Sequence, residues 1–391
     1  MNTELTMESQ SIDRWIGLRE RAKVTFRWAL LFASTLLIGF AVGCGGMSNI
    51  ASTKSTPTDP TSPPTINKAL WVANGTNVVE YLPAQLSPKD TTLAPHLMNN
   101  SGVFGAPQGV VFDAYGDLWV IDGGTVSTGG NITPALYEFT PAQLEDLATN
   151  SAPMPAVTIN SPNFTFPQQA VFDSYGDMWV SDNGSNAVYV FTPQQLNASN
   201  AATSPYITLT SNPAFNGPLG IVFDATGDLY VANNGSTTIF EFKANHLPRF
   251  SETVELDPDA TLSDDGNGSI QAPWALIFDA NGDLWSSNAN APNTIVEFAQ
   301  ASLGVTGSPT PKVTLSPTME NSNSTLSSPN GIAFDNLGDL AVISSATPFG
   351  IAFFDQSQLS AGGAIDPTVF LVGNATTLNA PAGANFGPVI N

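Results

Sequence analysis

Five segments of this chain repeat one pattern, and this repeat limits the available folds more than any other feature. Each segment has a leading Pro, an apolar run that ends in Phe-Asp, the turn Asp-x-x-Gly-Asp and a second apolar run. The segments begin 51 to 60 residues apart and are PQGVVFDAYGDLWVIDGG from Pro107, PQQAVFDSYGDMWVSDNG from Pro167, PLGIVFDATGDLYVANNG from Pro218, PWALIFDANGDLWSSNAN from Pro273 and PNGIAFDNLGDLAVISSA from Pro329.

One repeat has the pattern of a small antiparallel sheet. Its two apolar runs alternate at the period of a half-buried strand. The turn between them suits Gly, which takes positive φ without a Cβ clash, and Asp, which bonds the turn backbone. A third run such as ALYEF and a fourth such as YITLT follow. Such a sheet has two apolar faces, and radial stacking of neighbouring repeats covers both, which favours a β-propeller.

The ends of the chain give the number of blades. The segment LWVANGTNVVEYLPAQL from Leu70 matches the second and third strands of a repeat but lacks the first. The missing strand stands at the other end, where PAGANFG from Pro381 aligns with PNGIAFD from Pro329. We therefore predict an all-β fold over 68–391: a six-bladed β-propeller with four antiparallel strands per blade, whose C-terminal strand completes the N-terminal blade and closes the ring.

The repeat motif, PxG followed by two apolar residues, FDxxGDLWVA and then Asp or Asn, resembles the NHL repeat. The resemblance covers residues 68–391. It implies an NHL-like propeller but no single function, because NHL-like propellers include enzymes, sensors and binding scaffolds.

The first 67 residues lack the repeat and have the pattern of an export signal followed by a tether. Five basic residues precede an apolar run over 28–42, which suits a signal peptide and is short for a membrane span of roughly 20 residues. The run ends in AVGC, and small residues before this single cysteine resemble the lipobox of bacterial lipoproteins. We expect a lipoprotein signal peptide over 1–43, a lipid on Cys44 and a Ser/Thr/Pro-rich disordered tether over 44–67.

This resemblance implies a location in the cell envelope, with the protein held at the membrane through the lipid on Cys44. Gly45, rather than Asp, follows the cysteine. In a Gram-negative cell that pattern implies the outer membrane and the periplasm. An uncleaved anchor segment is the alternative.

The charge excludes one class of partner. Only 11% of the residues are charged, and beyond Cys44 six basic residues stand against 29 carboxylates. Such an acidic surface repels nucleic acid, which binds to clustered Lys and Arg. We expect no nucleic-acid partner, and a protein, peptide or glycan ligand instead.

One repeat position, at the end of the second strand, carries Asp or Asn in five blades and Ser345 in the sixth. Symmetry predicts a ring on one propeller face, a candidate ligand or cation rim formed by Asn74, Asp122, Asp182, Asn233 and Asn288. The alternative, which we favour, is an Asx turn that stabilises each hairpin whatever the ligand. Trp274 joins this candidate rim, because it stands at the start of the innermost strand and places an indole near the channel mouth. Packing is the alternative for Trp274.

Two acidic patterns raise the question of Ca²⁺. The paired aspartates of the five turns offer too few oxygens for calcium, which takes six to eight, so turn chemistry explains them better. The segment DPDATLSDDGNG over 257–268 is found in one blade only. Its candidate metal ligands are Asp257, Asp259, Asp264 and Asp265, and a flexible acidic insertion is the alternative.

Few residues in the chain suit catalysis. His96 and His246 are the only histidines, so a three-His zinc site is excluded by count, and no GxSxG nucleophile motif occurs. We expect a lipid-anchored, non-catalytic binding scaffold with no catalytic residues and no certain cofactor. The alternative is a metal-dependent hydrolase or lyase of the gluconolactonase-like propeller class. Three or more carboxylate or Asn oxygens converging in the channel would favour that alternative.

Overall fold

The computed structural model describes residues 68–86, 94–127, 130–149, 152–197, 200–320 and 323–389. Over these residues the chain forms six antiparallel sheets arranged as a six-bladed β-propeller, which confirms the predicted fold class. The predicted signal peptide (1–43), Cys44 and the whole predicted tether (44–67) lie outside the described residues, so those assignments stay predictions. No helix in the described ranges is long and apolar enough to cross a membrane.

Each blade has four strands, and the first strands of neighbouring blades contact one another around the channel. In blade 1 the four strands are, from the channel outward, Pro381–Gly387, Ala69–Asn74, Asn77–Tyr81 and Leu97–Asn99. In blade 2 they are Pro107–Phe112, Leu118–Asp122, Ala135–Phe139 and Val157–Asn160. In blade 3 they are Pro167–Phe172, Met178–Asp182, Ala187–Phe191 and Ile207–Ser211.

The other three blades follow the same order. Blade 4 consists of Pro218–Phe223, Leu229–Asn233, Thr238–Phe242 and Ala260–Ser263. Blade 5 consists of Pro273–Phe278, Leu284–Asn288, Ile295–Phe298 and Val313–Ser316. Blade 6 consists of Pro329–Phe334, Leu340–Ser344, Gly350–Phe354 and Val369–Val372.

The ring closes where the sequence predicts. The strand Pro381–Gly387 pairs antiparallel with Ala69–Asn74. Side chains reinforce the closure, because Trp71 Nε1 donates to Pro388 O at 3.3 Å and Tyr81 Oη donates to Thr376 O at 2.7 Å. The two ends of the described propeller are therefore held by one blade.

The core lies between the blades. Six apolar clusters are each shared by two neighbouring blades, because alternate residues of every strand face opposite neighbours. An aromatic residue on the second strand packs edge-on against the first-strand Phe of the next blade, with centroids 5.2–6.0 Å apart, in the pairs Trp71–Phe112, Trp179–Phe223, Tyr230–Phe278 and Trp285–Phe334. The repeated Trp position therefore serves packing.

The Gly of the PxG motif has a steric reason. A Cβ on Gly331 would lie 2.5 Å from Ala382 O, and one on Gly109 would lie 2.7 Å from Gln168 O. The innermost strands thus approach each other too closely for a side chain at these positions. A bulge directly after the leading Pro shifts the register of each first strand.

The long links between third and fourth strands protect sheet edges. The segments Asn200–Ala201, Glu252–Leu256 and Gly363–Ala364 add in parallel to the outer strands of blades 2, 3 and 5. An added strand covers unpaired backbone groups that would invite aggregation. The links also carry short helices, of which Pro141–Glu145, Pro193–Leu196 and Gln356–Ala361 are α-helices with capping boxes.

The remaining short elements lie in turns and links. The 3₁₀ helices are Pro83–Leu86, Asp146–Ala148, Asn234–Ser236, Gln300–Ser302 and Asn374–Thr376. Two small hairpins are formed by Thr125–Ser127 with Gly130–Ile132 and by Met319–Glu320 with Asn323–Ser324.

Candidate functional site

The propeller has two faces of different chemistry. The turn face carries the five Asp-x-x-Gly-Asp turns and the links from third to fourth strands. The mouth face carries the ends of the second strands and the connections that enter each first strand.

The predicted rim on the mouth face is buried. Each of its side chains is at most 1% exposed. Each accepts a hydrogen bond from the chain that enters the first strand of its own blade: Asn74 from Asn379 N at 2.6 Å, Asp122 from Gly105 N at 2.8 Å, Asp182 from Thr165 N at 2.8 Å, Asn233 from Asn216 N at 2.6 Å and Asn288 from Gln271 N at 2.8 Å. This ring therefore clamps each blade to its incoming segment, and the side chains do not form an open rim.

The sixth member of this ring needs a correction. Pro329 pairs with Ser344, as Pro107 pairs with Asp122, so the equivalent residue is Ser344 and not Ser345. Ser344 Oγ accepts from Ser327 N at 3.1 Å. Burial raises the pKa of Asp122, although three backbone N–H groups oppose the shift, as expected for a carboxylate used inside the fold.

The four predicted metal ligands of 257–268 do not form one site. The strand Ala260–Ser263 runs through this segment and separates Asp257 and Asp259 from Asp264 and Asp265. Four strand residues span about 13 Å, so the two pairs lie toward opposite faces. Asp259 instead binds His246 Nδ1 at 2.8 Å, and Asp264 accepts from Ile270 N at 3.0 Å. The one-loop interpretation was wrong because an Ala-Thr-Leu-Ser strand is hidden between the acidic residues.

The turn face confirms turn chemistry for the paired aspartates. In all five turns the first Asp accepts, through Oδ1, two backbone N–H groups of its own turn at 2.8–3.0 Å. The turn Gly has φ between 80° and 87° in each. In three blades the other carboxylate oxygen accepts from the second-strand indole, in the pairs Asp113–Trp119, Asp173–Trp179 and Asp279–Trp285.

Blade 6 has no indole to donate to the first Asp of its turn. Ala341 stands where the other blades have Trp or Tyr, and Phe353 on the third strand fills the core beside it. Asp335 Oδ2 is therefore buried without a hydrogen-bond partner in the described structure. Burial raises the pKa of Asp335.

Buried glutamates on the third strands were not foreseen. Glu80, Glu241 and Glu297 are at most 3% exposed. Their basic partners differ by blade: His96 Nδ1 lies 2.8 Å from Glu80, Lys243 binds Glu241, and Lys312 Nζ lies 2.7 Å from Glu297. The Glu in NVVEY, TIFEF and TIVEF was the available signal.

Two groups of acidic side chains on the turn face have ligand atoms within 4.8 Å of one another. They are Asp113 with Asp117 and Glu138, and Asp279 with Asp283 and Glu297. In the second group, Lys312 Nζ lies 2.5 Å from Asp283 and 2.7 Å from Glu297. These hydrogen bonds raise the pKa of Lys312, so its ammonium offsets part of the negative charge of the group.

The channel is lined mainly by apolar residues of the first strands. Its cavity of about 150 Å³ is bordered by Val110, Ile221, Leu276, Ile332 and their neighbours, and the described lining includes no carboxylate. Gln169 and Asn385 are its polar side chains. A converging set of acidic oxygens in the channel would favour a metal-dependent hydrolase, and the described lining does not contain one.

A second cavity, of about 380 Å³, lies on the mouth face. None of its described lining residues is charged: they are Gln108, Phe166, Gln168, Asn183, Leu219, Asn234, Ala272, Trp274, Ala289, Asn290, Ser328 and Asn330. Trp274 thus stands at the mouth, as predicted, although it is only 8% exposed. The mouth cavity, defined by these residues, gathers side chains from blades 2 to 6.

The mouth cavity has unused hydrogen-bonding capacity. The side-chain amides of Gln168, Asn183, Asn290 and Asn330 have no hydrogen-bond partner among the described residues. Gln168 is only 2% exposed. Asn183 and Asn330 are half-buried and Asn290 is exposed, so these amides are open to hydrogen bonds from a ligand that enters the cavity.

The glycines of the mouth face make room for this arrangement. A Cβ on Gly123 would lie 2.5 Å from Phe166 Cε2, and one on Gly217 would lie 2.9 Å from Asn183 Nδ2. The Phe166 ring is 37% exposed, which makes it the most accessible aromatic group lining the cavity.

No protein-family model matches this sequence, and no curated protein matches it. The chain is similar in fold to a chain of a nidogen/laminin complex, with 14% identity and a TM-score of 0.52 over 82% of this chain and 98% of that one. It is also similar to a protein of unknown function from Bacteroides caccae, with 10% identity and a TM-score of 0.53 over 82% and 99%. Virginiamycin B lyase from Staphylococcus aureus gives 16% identity and a TM-score of 0.37 over 65% and 68%. At these identities the likeness concerns the fold alone.

Proposed function

We propose that this protein is a non-catalytic binding module of the NHL-repeat kind, held at the cell envelope by a lipid on Cys44, whose ligand enters the mouth cavity. The observation that carries the proposal is the set of unpartnered amides converging on one uncharged cavity. Pockets that join a few polar groups to apolar walls are the usual ligand sites of proteins.

The structure gives less support to the metal-dependent hydrolase or lyase. The channel lining lacks carboxylates among the described residues, and Lys312 already occupies the acidic group at Asp283. The first aspartate of each turn accepts backbone N–H groups of that turn. A binding scaffold needs none of these groups to be free.

The lipid anchor is tested by changing its cysteine. In a bacterial host fed labelled palmitate, we expect the wild-type chain to incorporate label and Cys44→Ser to remain an unlabelled precursor. Equal labelling of the two chains would contradict the anchor.

The binding face is tested by photo-crosslinking in cells. Phe166 and Tyr115 are both exposed aromatic residues, on the mouth face and the turn face respectively. With p-benzoylphenylalanine at each position in turn, we expect a ligand adduct from position 166 and none from position 115. An adduct from position 115 alone would move the binding site to the turn face, and no adduct from either would contradict a bound ligand.

A further inference from the structure

We infer that the ligand of the mouth cavity is a neutral glycan, an inference that rests on the proposed binding function and names its ligand class. Three properties of the cavity lead to it: the kind of polar groups, the exposed ring beside them, and the lack of charge.

The polar groups match sugar hydroxyls. A primary amide offers two donor hydrogens and an acceptor oxygen, and a hydroxyl offers one donor and two lone pairs. Adjacent hydroxyls of a pyranose can therefore bridge an amide in both directions. Gln168, Asn183, Asn290 and Asn330 supply four such amides with no partner in the described part of the chain.

The apolar side of the cavity suits the C–H face of a sugar ring. Phe166 presents a partly open ring whose position depends on the absence of a side chain at Gly123. Trp274 and Leu219 are buried and form apolar parts of the same wall. An aromatic face with a slightly negative π surface attracts the weakly positive C–H groups of a pyranose.

Charge excludes the acidic sugars. None of the described lining residues is a cation that could bind a uronate, sulfate or phosphate. Beyond Cys44 the chain has 29 carboxylates and six basic residues, and this field repels anions. Lacking lining carboxylates, the cavity also offers no counter-ion to a basic ligand.

An extended peptide fits the geometry less well. Peptide recognition by a sheet uses a row of backbone groups along one edge, with pockets for alternate side chains. The unpartnered mouth amides come instead from blades 3, 5 and 6 and lie on several sides of the cavity. Such an arrangement suits a compact ligand with polar groups on several sides, as a mono- or disaccharide has.

Isothermal titration of the propeller with neutral di- and trisaccharides of hexose and N-acetylhexosamine tests the inference, with trigalacturonic acid as the anionic comparison. We expect at least one neutral sugar to bind at millimolar concentration or below and the anionic trimer not to bind. Phe166→Ala and Asn330→Ala should each weaken that binding about tenfold, which corresponds to the loss of one good contact.

Two matched variants of the turn face serve as controls. Tyr115 and Asn281 are exposed and lie in the Asp-x-x-Gly-Asp turns, on the face opposite the mouth cavity. Tyr115→Ala and Asn281→Ala should therefore leave sugar affinity unchanged. Absence of binding for every neutral sugar, or equal affinity in the wild type and the Phe166→Ala variant, would overturn the inference. An adduct at position 166 together with no sugar binding would overturn the glycan alone and leave the proposed function standing.

Discussion

The two faces of this propeller are made by the same repeat but carry different chemistry. On the turn face every blade but the first shows the same acidic turn, and its carboxylates bind backbone N–H groups, indoles or lysines. On the mouth face the first residue after the leading Pro differs between blades: it is Gln108, Gln168, Leu219, Trp274, Asn330 or Ala382. The repeated side chains hold the fold, and the varied ones form the cavity.

This difference gives a rule for locating the ligand contacts of a repeat protein from its own sequence. A position that every blade fills alike, such as Asp122 and its equivalents, meets a need that every blade shares, namely satisfying the backbone of its own turn or incoming segment. A single ligand in one central site does not require the same contact from all six blades. Its contacts are therefore expected at positions where the blades differ.

The largest effect is expected where a repeated side chain serves three backbone groups. Asp182 accepts from Thr165 N, Phe166 N and Ser185 N at 2.8–3.0 Å. Asp182→Ala should lower the free energy of unfolding by about 3 kcal/mol, because buried donors lose their acceptor. Asp182→Asn should lose less, since Asn fills this position in blades 1, 4 and 5. Urea unfolding measures both.

The matched control for Asp182 is Asp257, which is exposed. Asp257→Ala should change stability by less than about 0.5 kcal/mol. Equal losses at the two positions would show that the ring of Asp and Asn residues does not hold the blades.

A smaller loss is expected from crowding the innermost strands. Gly331→Ala places a Cβ 2.5 Å from Ala382 O, at the junction of blade 6 with the strand that closes the ring. Over-packing of this kind costs about 2 kcal/mol. Gly307→Ala, where a Cβ meets nothing within 4 Å, should be neutral in the same unfolding experiment. A neutral Gly331→Ala would contradict the steric reason for the repeated Gly.

The acidic turn of blade 6 should make stability depend on pH in its own way. Burial raises the pKa of Asp335, so the folded state holds its proton to higher pH than the unfolded state, and stability falls as pH rises through the folded pKa. Asp335→Asn removes that fall. Relative to wild type it should gain about 1 kcal/mol between pH 3 and neutral pH, the lower range for an unpartnered buried group.

The comparison for Asp335 is Asp279, whose Oδ2 accepts from the Trp285 indole at 3.4 Å. Asp279→Asn loses this acceptor when the amide nitrogen faces the indole, and should destabilise at acid and neutral pH alike. Urea unfolding at several pH values separates the two patterns. If the stability of Asp335→Asn depended on pH as that of the wild type does, the buried Asp335 carboxylate would not be the source of that dependence.

The smallest effect on stability is expected at the mouth cavity. Asn290 and Asn330 make no side-chain hydrogen bond within the described residues, so the double variant to Ala should change the unfolding free energy by less than about 0.5 kcal/mol. A loss comparable to that of Asp182→Ala would mean that these amides serve the fold.

The sequence was enough to predict the ring, its closure and its turn chemistry, because repetition multiplies a weak strand signal and the turn Gly needs positive φ. It could not show that Asp122 is buried. A ligand-binding rim and a side chain that binds the backbone of the incoming segment would both place Asp or Asn at this position. The strand inside 257–268 was missed because acidic residues flank four residues of weak pattern. The mouth amides were missed because each blade contributes a different residue.

The most direct test of the central claim, that the mouth face binds and the turn face holds the fold, is an NMR titration of the indole N–H signals. The indoles of Trp119, Trp179 and Trp285 are tied to turn aspartates, while Trp274 lines the mouth cavity. On addition of a neutral oligosaccharide we predict that the Trp274 signal shifts and the other three stay in place. Shifts of the turn-face indoles with an unmoved Trp274 signal would contradict the account.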